Sequence, residues 1–239
     1  TASLIGTLPR SAPASADAPT IRGDLPSGSA FARVLAVAFV AAAGLTAPWP
    51  YIVSYYPSIG GLSSAIVPFV FALGGIVGVG ATLAVTSFLG RHTVGTVAVG
   101  LGLTVLSWTA YAIGSPAGAV TGQILQSAGW AVIAAGLLHW AMRHTPWRTE
   151  VGASVYTVAI NSGAAVGPLL GALVVATWGI GVLPYVSLGA MLVALAIVAT
   201  VRPASRHELS LPRAFHVALR RALDLQRARE AWIRRTTST

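Results

Sequence analysis

The chain has no cysteine and no lysine in 239 residues, and only six acidic side chains. Without cysteine it forms no disulfide, uses no thiol nucleophile and holds no metal through sulfur. Charge of either sign is scarce. Asp, Glu, Lys and Arg make up 9% of the residues, against about 25% in a soluble domain. Apolar residues make up 55%, and the mean hydropathy is +0.75. So little polar surface cannot cover a water-soluble globule, and so apolar a chain is not disordered. An integral membrane protein remains. All fifteen basic residues are arginine, and the net charge is +9. On a soluble chain that balance suggests nucleic acid, so the placement of the charges has to decide.

Residues 34–90, 92–142 and 151–201 contain no Asp, Glu, Lys or Arg. Each stretch accommodates two helices of about 20 apolar residues and a turn. The pattern predicts an all-α integral membrane protein with six spans, at about 31–56, 63–89, 92–113, 117–142, 151–177 and 180–201. The turns lie mid-stretch and are uncharged: Tyr56 to Gly61, Gly114 to Gly118 and Trp178 to Gly181. The charges fall between stretches, at Arg91 and at Arg143, Arg148 and Glu150. Arginine-bearing short loops stay in the cytoplasm. Both termini are then cytoplasmic, in a multi-pass protein of the cell membrane. Tyr55, Tyr56, Trp108, Tyr111, Trp178 and Tyr185 fall near outer ends, and Trp140 and Trp147 near inner ends. There they read as interface anchors. Trp130 falls mid-span.

The flanks differ in composition. Leu4 to Arg10 reads as the end of a preceding helix, and the rest of 1–30, rich in Ala, Ser, Pro and Gly, as a cytoplasmic linker. The tail, 202–239, holds nine arginines and three acids. Phe215, Ala218, Ala222, Leu225, Ala228 and Trp232 recur at spacings of three and four, with most arginines off that stripe. This predicts a basic amphipathic helix on an anionic leaflet, with a solvated tail as the alternative. Lipid explains the charge, and no nucleic-acid partner is implied.

Six spans after a helix end and a polar linker resemble the C-terminal half of a major facilitator superfamily transporter. The motifs of the fifth and sixth spans are the most specific: Glu150-Val151-Gly152-Ala153-Ser154, then Asn161-Ser162-Gly163-Ala164-Ala165-Val166-Gly167-Pro168-Leu169-Leu170-Gly171, then Leu183-Pro184-Tyr185-Val186. They resemble the twelve-span drug and sugar efflux branch, the arabinose-efflux-permease-like group. Pro50-Tyr51-Ile52 and Gly60-Gly61-Leu62-Ser63 are also similar. Gly163, Gly167, Pro168 and Gly171 match the superfamily's antiporter signature, in the repeat-equivalent of its usual span. The loop at Ser87 to His92 keeps Gly90 and Arg91 of the family's Gly-x-x-x-Asp-Arg element and lacks the Asp.

The resemblance implies a bundle of two inverted three-helix repeats and efflux of a drug-like or sugar-like solute by alternating access. It implies a missing N-terminal six-helix half as partner. It also places the first, second, fourth and fifth spans around a central cavity, and the third and sixth against lipid. No charge lies deep in a span, so any proton coupling belongs to a carboxylate of the missing half, and the substrate-facing groups here are neutral.

Gln123, Gln126 and Trp130 share one stripe of the fourth span, and Asn161 falls near the middle of the fifth. With Trp49 and Tyr51 of the first span they are the candidate substrate-binding residues. For the amides the competing role is interhelical hydrogen bonding, and for Trp49 and Tyr51 interface anchoring. Gly163, Gly167, Pro168 and Gly171 are candidates for helix packing or gating, as are Gly74, Gly75, Gly78 and Gly80 for packing of the second span. Pro48, Pro50 and Pro168 invite helix breaks. No cofactor or metal is implied. An enzyme is not expected. Gly152-Ala153-Ser154 resembles a nucleophile turn, but the next histidine is His207, in the tail. The serious alternative is a stand-alone six-helix protein that binds partners without transporting by itself.

Overall fold

The computed structural model describes residues 28–86, 89 and 92–201. The linker up to residue 27, the 202–239 tail and most of the Ser87–Arg91 loop lie outside these residues. The described part is helical: α1 (Gly28–Thr46), a 3-10 turn (Trp49–Tyr51), α2 (Ile52–Ser58), α3 (Val67–Thr86), α4 (Thr93–Ala112), α5 (Pro116–His144), α6 (Thr149–Trp178), a second 3-10 turn (Ile180–Val182) and α7 (Leu183–Ala199). Six helical segments, with Gly28–Ser58 counted as one, are long and apolar enough to cross a membrane.

Local chemistry sets the ends. Ser115 caps α5 by accepting from the Gly118 N–H at 3.1 Å, and Pro116 follows at the first helical position. Gly114 and Gly179 sit at φ +66° and +84°, a region that side-chain-bearing residues rarely enter, and they turn the chain after α4 and α6. The second span begins at Val67 rather than 63, because Ser63 to Ile66 form a turn instead.

Adjacent spans run in opposite directions. Along the α4–α5 seam Val97 meets Gly136, Gly100 meets Gly129 and Ile133, and Tyr111 meets Gly122. A Cβ on any of these α5 glycines would meet α4 atoms within 2.9 Å, so the two backbones come this close only because the residues are glycine. Lipid gives apolar side chains no drive to associate, and close approach supplies it instead. α1 and α6 run parallel: Gly163, Gly167 and Gly171 face the carbonyls of Phe39, Ala43 and Ala47, a four-residue step on each side. The signature glycines are thus packed against the α1 backbone. Of the α3 glycines, Gly74 is held tightly against Gln123 and Ser127 of α5 and Gly78 lies against Ser127, while a Cβ on Gly75 or Gly80 would meet nothing.

The prolines act differently from one another. Pro48 and Pro50 lack N–H donors, and the helix tightens into the 3-10 turn between α1 and α2, with Tyr51 N–H donating to Pro48 O at 2.9 Å. Pro168 does not break its helix; α6 continues through it. The carbonyl that Pro168 leaves without its helical donor is that of Ala164, four residues back. The single hydroxyl proton of Thr46 on α1 is shared between that carbonyl, at 3.2 Å, and Ala42 O, at 2.8 Å. A neighbouring helix thereby satisfies the freed group.

The burial of the spans departs from the lipid-facing role expected for the third. α4 is the most buried, with 61% of its apolar window inside, because it is wedged between α5 and α7. α3 and α6 are the most exposed, with only 17% and 22% buried. Tyr55, Tyr56, Trp108, Tyr111 and Trp140 are buried core residues rather than interface anchors, whereas Trp178 and Tyr185 are exposed. The indole N–H groups of Trp108 and Trp140 have no partner among the described residues, so packing volume, not polarity, accounts for their placement.

The Thr46 clasp gives a double-mutant test. Thr46→Val leaves the Ala164 carbonyl unpaired and should cost about 1–3 kcal/mol. In a Pro168→Ala background the new N–H serves that carbonyl, and the cost of Thr46→Val should fall below about 0.5 kcal/mol. Equilibrium unfolding in detergent measures both; equal costs in the two backgrounds would contradict the clasp.

Candidate functional site

Buried amides in an apolar helix need partners, and tyrosines supply them here. Gln123 and Gln126 lie on the inward face of α5 and are almost fully buried. The Tyr56 hydroxyl of α2 donates to Gln123 Oε1 at 2.6 Å. The Tyr111 hydroxyl of α4 lies 3.0 Å from Gln123 Oε1 and 3.1 Å from Gln126 Oε1, and the two hydroxyls are 2.9 Å apart. Gln123 Nε2 donates to Ser127 Oγ at 3.2 Å. Tyr55 donates to the Tyr111 carbonyl at 2.6 Å, holding the end of α4 against α2.

These four oxygen contacts share two hydroxyl protons. The other two can come only from an amide NH2. The Gln123 amide turned end for end supplies both, and its oxygen then accepts from Ser127. In either orientation of Gln123, each carboxamide oxygen accepts from at least one protein donor. Among the described residues Gln126 Nε2 has no hydrogen-bond partner.

On the other side of the glutamines is a cavity of about 710 Å³ between α1, α3 and α5, in the size range of small-molecule sites. Gln123, Gln126, Ser127 and Trp130 form its α5 wall. Trp49 and Phe71 line the end nearest the 3-10 turn, stacked with centroids 6.1 Å apart and planes at 26°. Gly74, Gly75, Gly78, Val79, Thr82 and Leu83 form the α3 wall; Gly74 lets α3 approach Gln123, and the missing side chain of Gly75 leaves space open. From Gln123 to Ala135 the cavity follows α5 for roughly 18 Å. Its lining contains no charged residue.

The structure brings together four of the expected binding residues: Trp49, Gln123, Gln126 and Trp130. Tyr51 and Asn161 lie outside the cavity lining. Tyr51 is half-buried in the 3-10 turn, and Asn161 is exposed on the α6 face turned away from α1. Thr157 and Ser154 lie on that same exposed face, their hydroxyls donating to the Ala153 and Glu150 carbonyls of α6. Sequence reasoning missed Phe71, Ser127, Tyr56 and Tyr111. Ser127 was visible as the residue one turn after Gln123. The tyrosines carried no such signal, because a tyrosine near a helix end reads as an anchor. Groups of three or more His, Cys, Asp or Glu suited to a metal are absent among the described residues.

Tyr111→Phe removes the donor to Gln126 Oε1 and one contact to Gln123. It should destabilise the protein by about 1–3 kcal/mol, read as a lower Tm in detergent, while Tyr185→Phe, at an exposed site, should leave Tm unchanged. Equal Tm values for Tyr111→Phe and the parent would show that the network holds nothing. No protein-family profile matches this chain, nor does any curated protein or solved structure.

Proposed function

We propose that the chain forms part of a transporter that moves a small, uncharged or weakly polar solute across a membrane, by efflux, with this chain as the C-terminal half. The observation that carries this reading is the cavity. Three span-length helices line an open, solute-sized space whose walls are aromatic and aliphatic side chains, glycines, hydroxyls and neutral amides, with no charged group.

The helix pairings support the repeat. α1 packs on α6 and α7; α5 packs on α3 and α4; α1 also meets α5, and α4 meets α7. Exchanging the first three spans for the last three maps this set onto itself, and it exchanges helices of opposite direction. That is the behaviour of an inverted repeat. The α5–α6 pairing has no counterpart of similar extent.

The exposed faces of α3 and α6 support a second half. Asn161 sits part-way along α6 with its amide exposed, and an amide in hydrocarbon has no partner. A further set of helices covering α6 would give it one. Arg143, Arg148 and Glu150 cluster at the α5–α6 connection, which supports a cytoplasmic location for that loop.

Cells expressing the complete reading frame can be preloaded with Nile red or with radiolabelled xylose. Gln126→Ala should slow the loss of at least one of the two about tenfold, the effect of about 1.4 kcal/mol at the site. Rates that match the parent for both solutes would leave the glutamines as interhelical contacts and contradict the transport reading.

A further inference from the structure

The two protein-facing sides of the glutamine pair decide what faces the cavity. Tyr56 and Tyr111 reach the pair from α2 and α4, behind the α5 wall. Gln126 Oε1 lies 3.1 Å from the Tyr111 hydroxyl, so the oxygen end of that amide is turned to the protein side. The cavity therefore receives the opposite end of Gln126, its NH2. Trp130, one turn further along α5, lines the same wall, and its indole nitrogen is a donor that cannot accept. No carboxylate, histidine or other charged group lines the space. The remaining walls are the rings of Trp49 and Phe71, glycines, aliphatic side chains and the Thr82 hydroxyl. Between Gln126 and Trp130 the amide and indole N–H groups are donors, across from the aromatic surfaces of Trp49 and Phe71; the only other polar side chains of the lining are the neutral amide of Gln123 and the hydroxyls of Ser127, which meets Gln123 Nε2, and of Thr82, which donates to its own helix at Gly78 O.

From this we infer that the site selects an uncharged aromatic solute bearing a hydrogen-bond acceptor, such as a ketone, ester or ether oxygen, with the acceptor lodged against Gln126 Nε2 and Trp130 Nε1 and the ring beside Trp49 and Phe71. This substrate class rests on the transport reading above only in calling the occupant a substrate; the binding preference stands by itself. An ammonium finds no counter-charge in the lining and sets donors against the Gln126 and Trp130 N–H groups. An apolar isostere leaves both donors without a partner, and sites built around hydrogen-bonding groups reject analogues that lack the matching atom.

Three naphthalenes of similar shape test the inference. 2-Acetylnaphthalene carries the acceptor, 2-isopropenylnaphthalene lacks it, and 1-(2-naphthyl)ethylammonium replaces it with a cationic donor. Binding to the full 239-residue chain in lipid nanodiscs is measured by equilibrium dialysis, with uptake by empty nanodiscs subtracted. The acetyl compound should bind at least tenfold more tightly than either of the others. Gln126→Met and Trp130→Phe keep the bulk of the wall and remove one donor each. At least one of them should erase most of that tenfold preference, while the isopropenyl compound changes less than twofold.

Equal affinity for the acetyl and isopropenyl compounds overturns the inference, as does a preference for the ammonium or a preference that survives both variants. Discrimination in nanodiscs without any Gln126-dependent flux in cells would sustain the site and sink transport. Gln126-dependent flux without acceptor preference would sink the inference and sustain transport.

Discussion

Polar groups set among apolar, span-length helices have to be satisfied by the protein itself, and the rest of this structure depends on that constraint. Two glutamines on one face of α5 are tolerated because tyrosines from α2 and α4 reach them. That requirement joins the end of the first span, α4 and α5 at one point. It also fixes which atoms of the glutamines remain for a solute. The same rule operates at α6, where Pro168 frees a carbonyl and Thr46 of α1 takes it up.

Glycine makes these contacts geometrically possible. The tyrosine–glutamine network needs α4 and α5 close together, and Gly100, Gly118, Gly122, Gly129 and Gly136 allow it. The clasp at Ala164 needs α1 and α6 close together, and Gly163, Gly167 and Gly171 allow that. On α3 the glycines do both. Gly74 lets the helix approach Gln123, and the absent side chains of Gly75 and Gly78 leave room for the cavity. One residue type thus both closes the seams and opens the site.

The helices were legible in the sequence because charge is so costly in hydrocarbon that its absence marks each pair of spans. The turns were legible because Gly114 and Gly179 occupy backbone conformations that favour glycine. Gln123, Gln126 and Trp130 stood out as polar and aromatic positions one turn apart in an apolar helix. Other features depended on how each helix is rotated in the bundle. Tyr56 and Tyr111 sit near helix ends, where a tyrosine reads equally well as an anchor, and tertiary packing alone turned them inward. Asn161 lay within reach of inference. It precedes Gly163 by two residues, roughly 200° around the helix, so a glycine seam against α1 sends its amide to the opposite face. The tight burial of α4 follows from its glycine seam with α5 on one side and α7 on the other, and no single-helix pattern announced it.

The account depends most on the α1–α3–α5 space being a solute-accessible cavity while other exposed apolar surfaces face lipid. A chain without cysteine is its own background for testing this. Ala131→Cys and Ala134→Cys place a thiol on the cavity wall; Leu106→Cys and Val193→Cys place one on exposed faces of α4 and α7. In membranes, a hydrophilic maleimide should label the two cavity positions and spare the other two, since a thiolate needs water to form and react. Labelling of Leu106→Cys and Val193→Cys with no labelling of Ala131→Cys and Ala134→Cys would contradict the account.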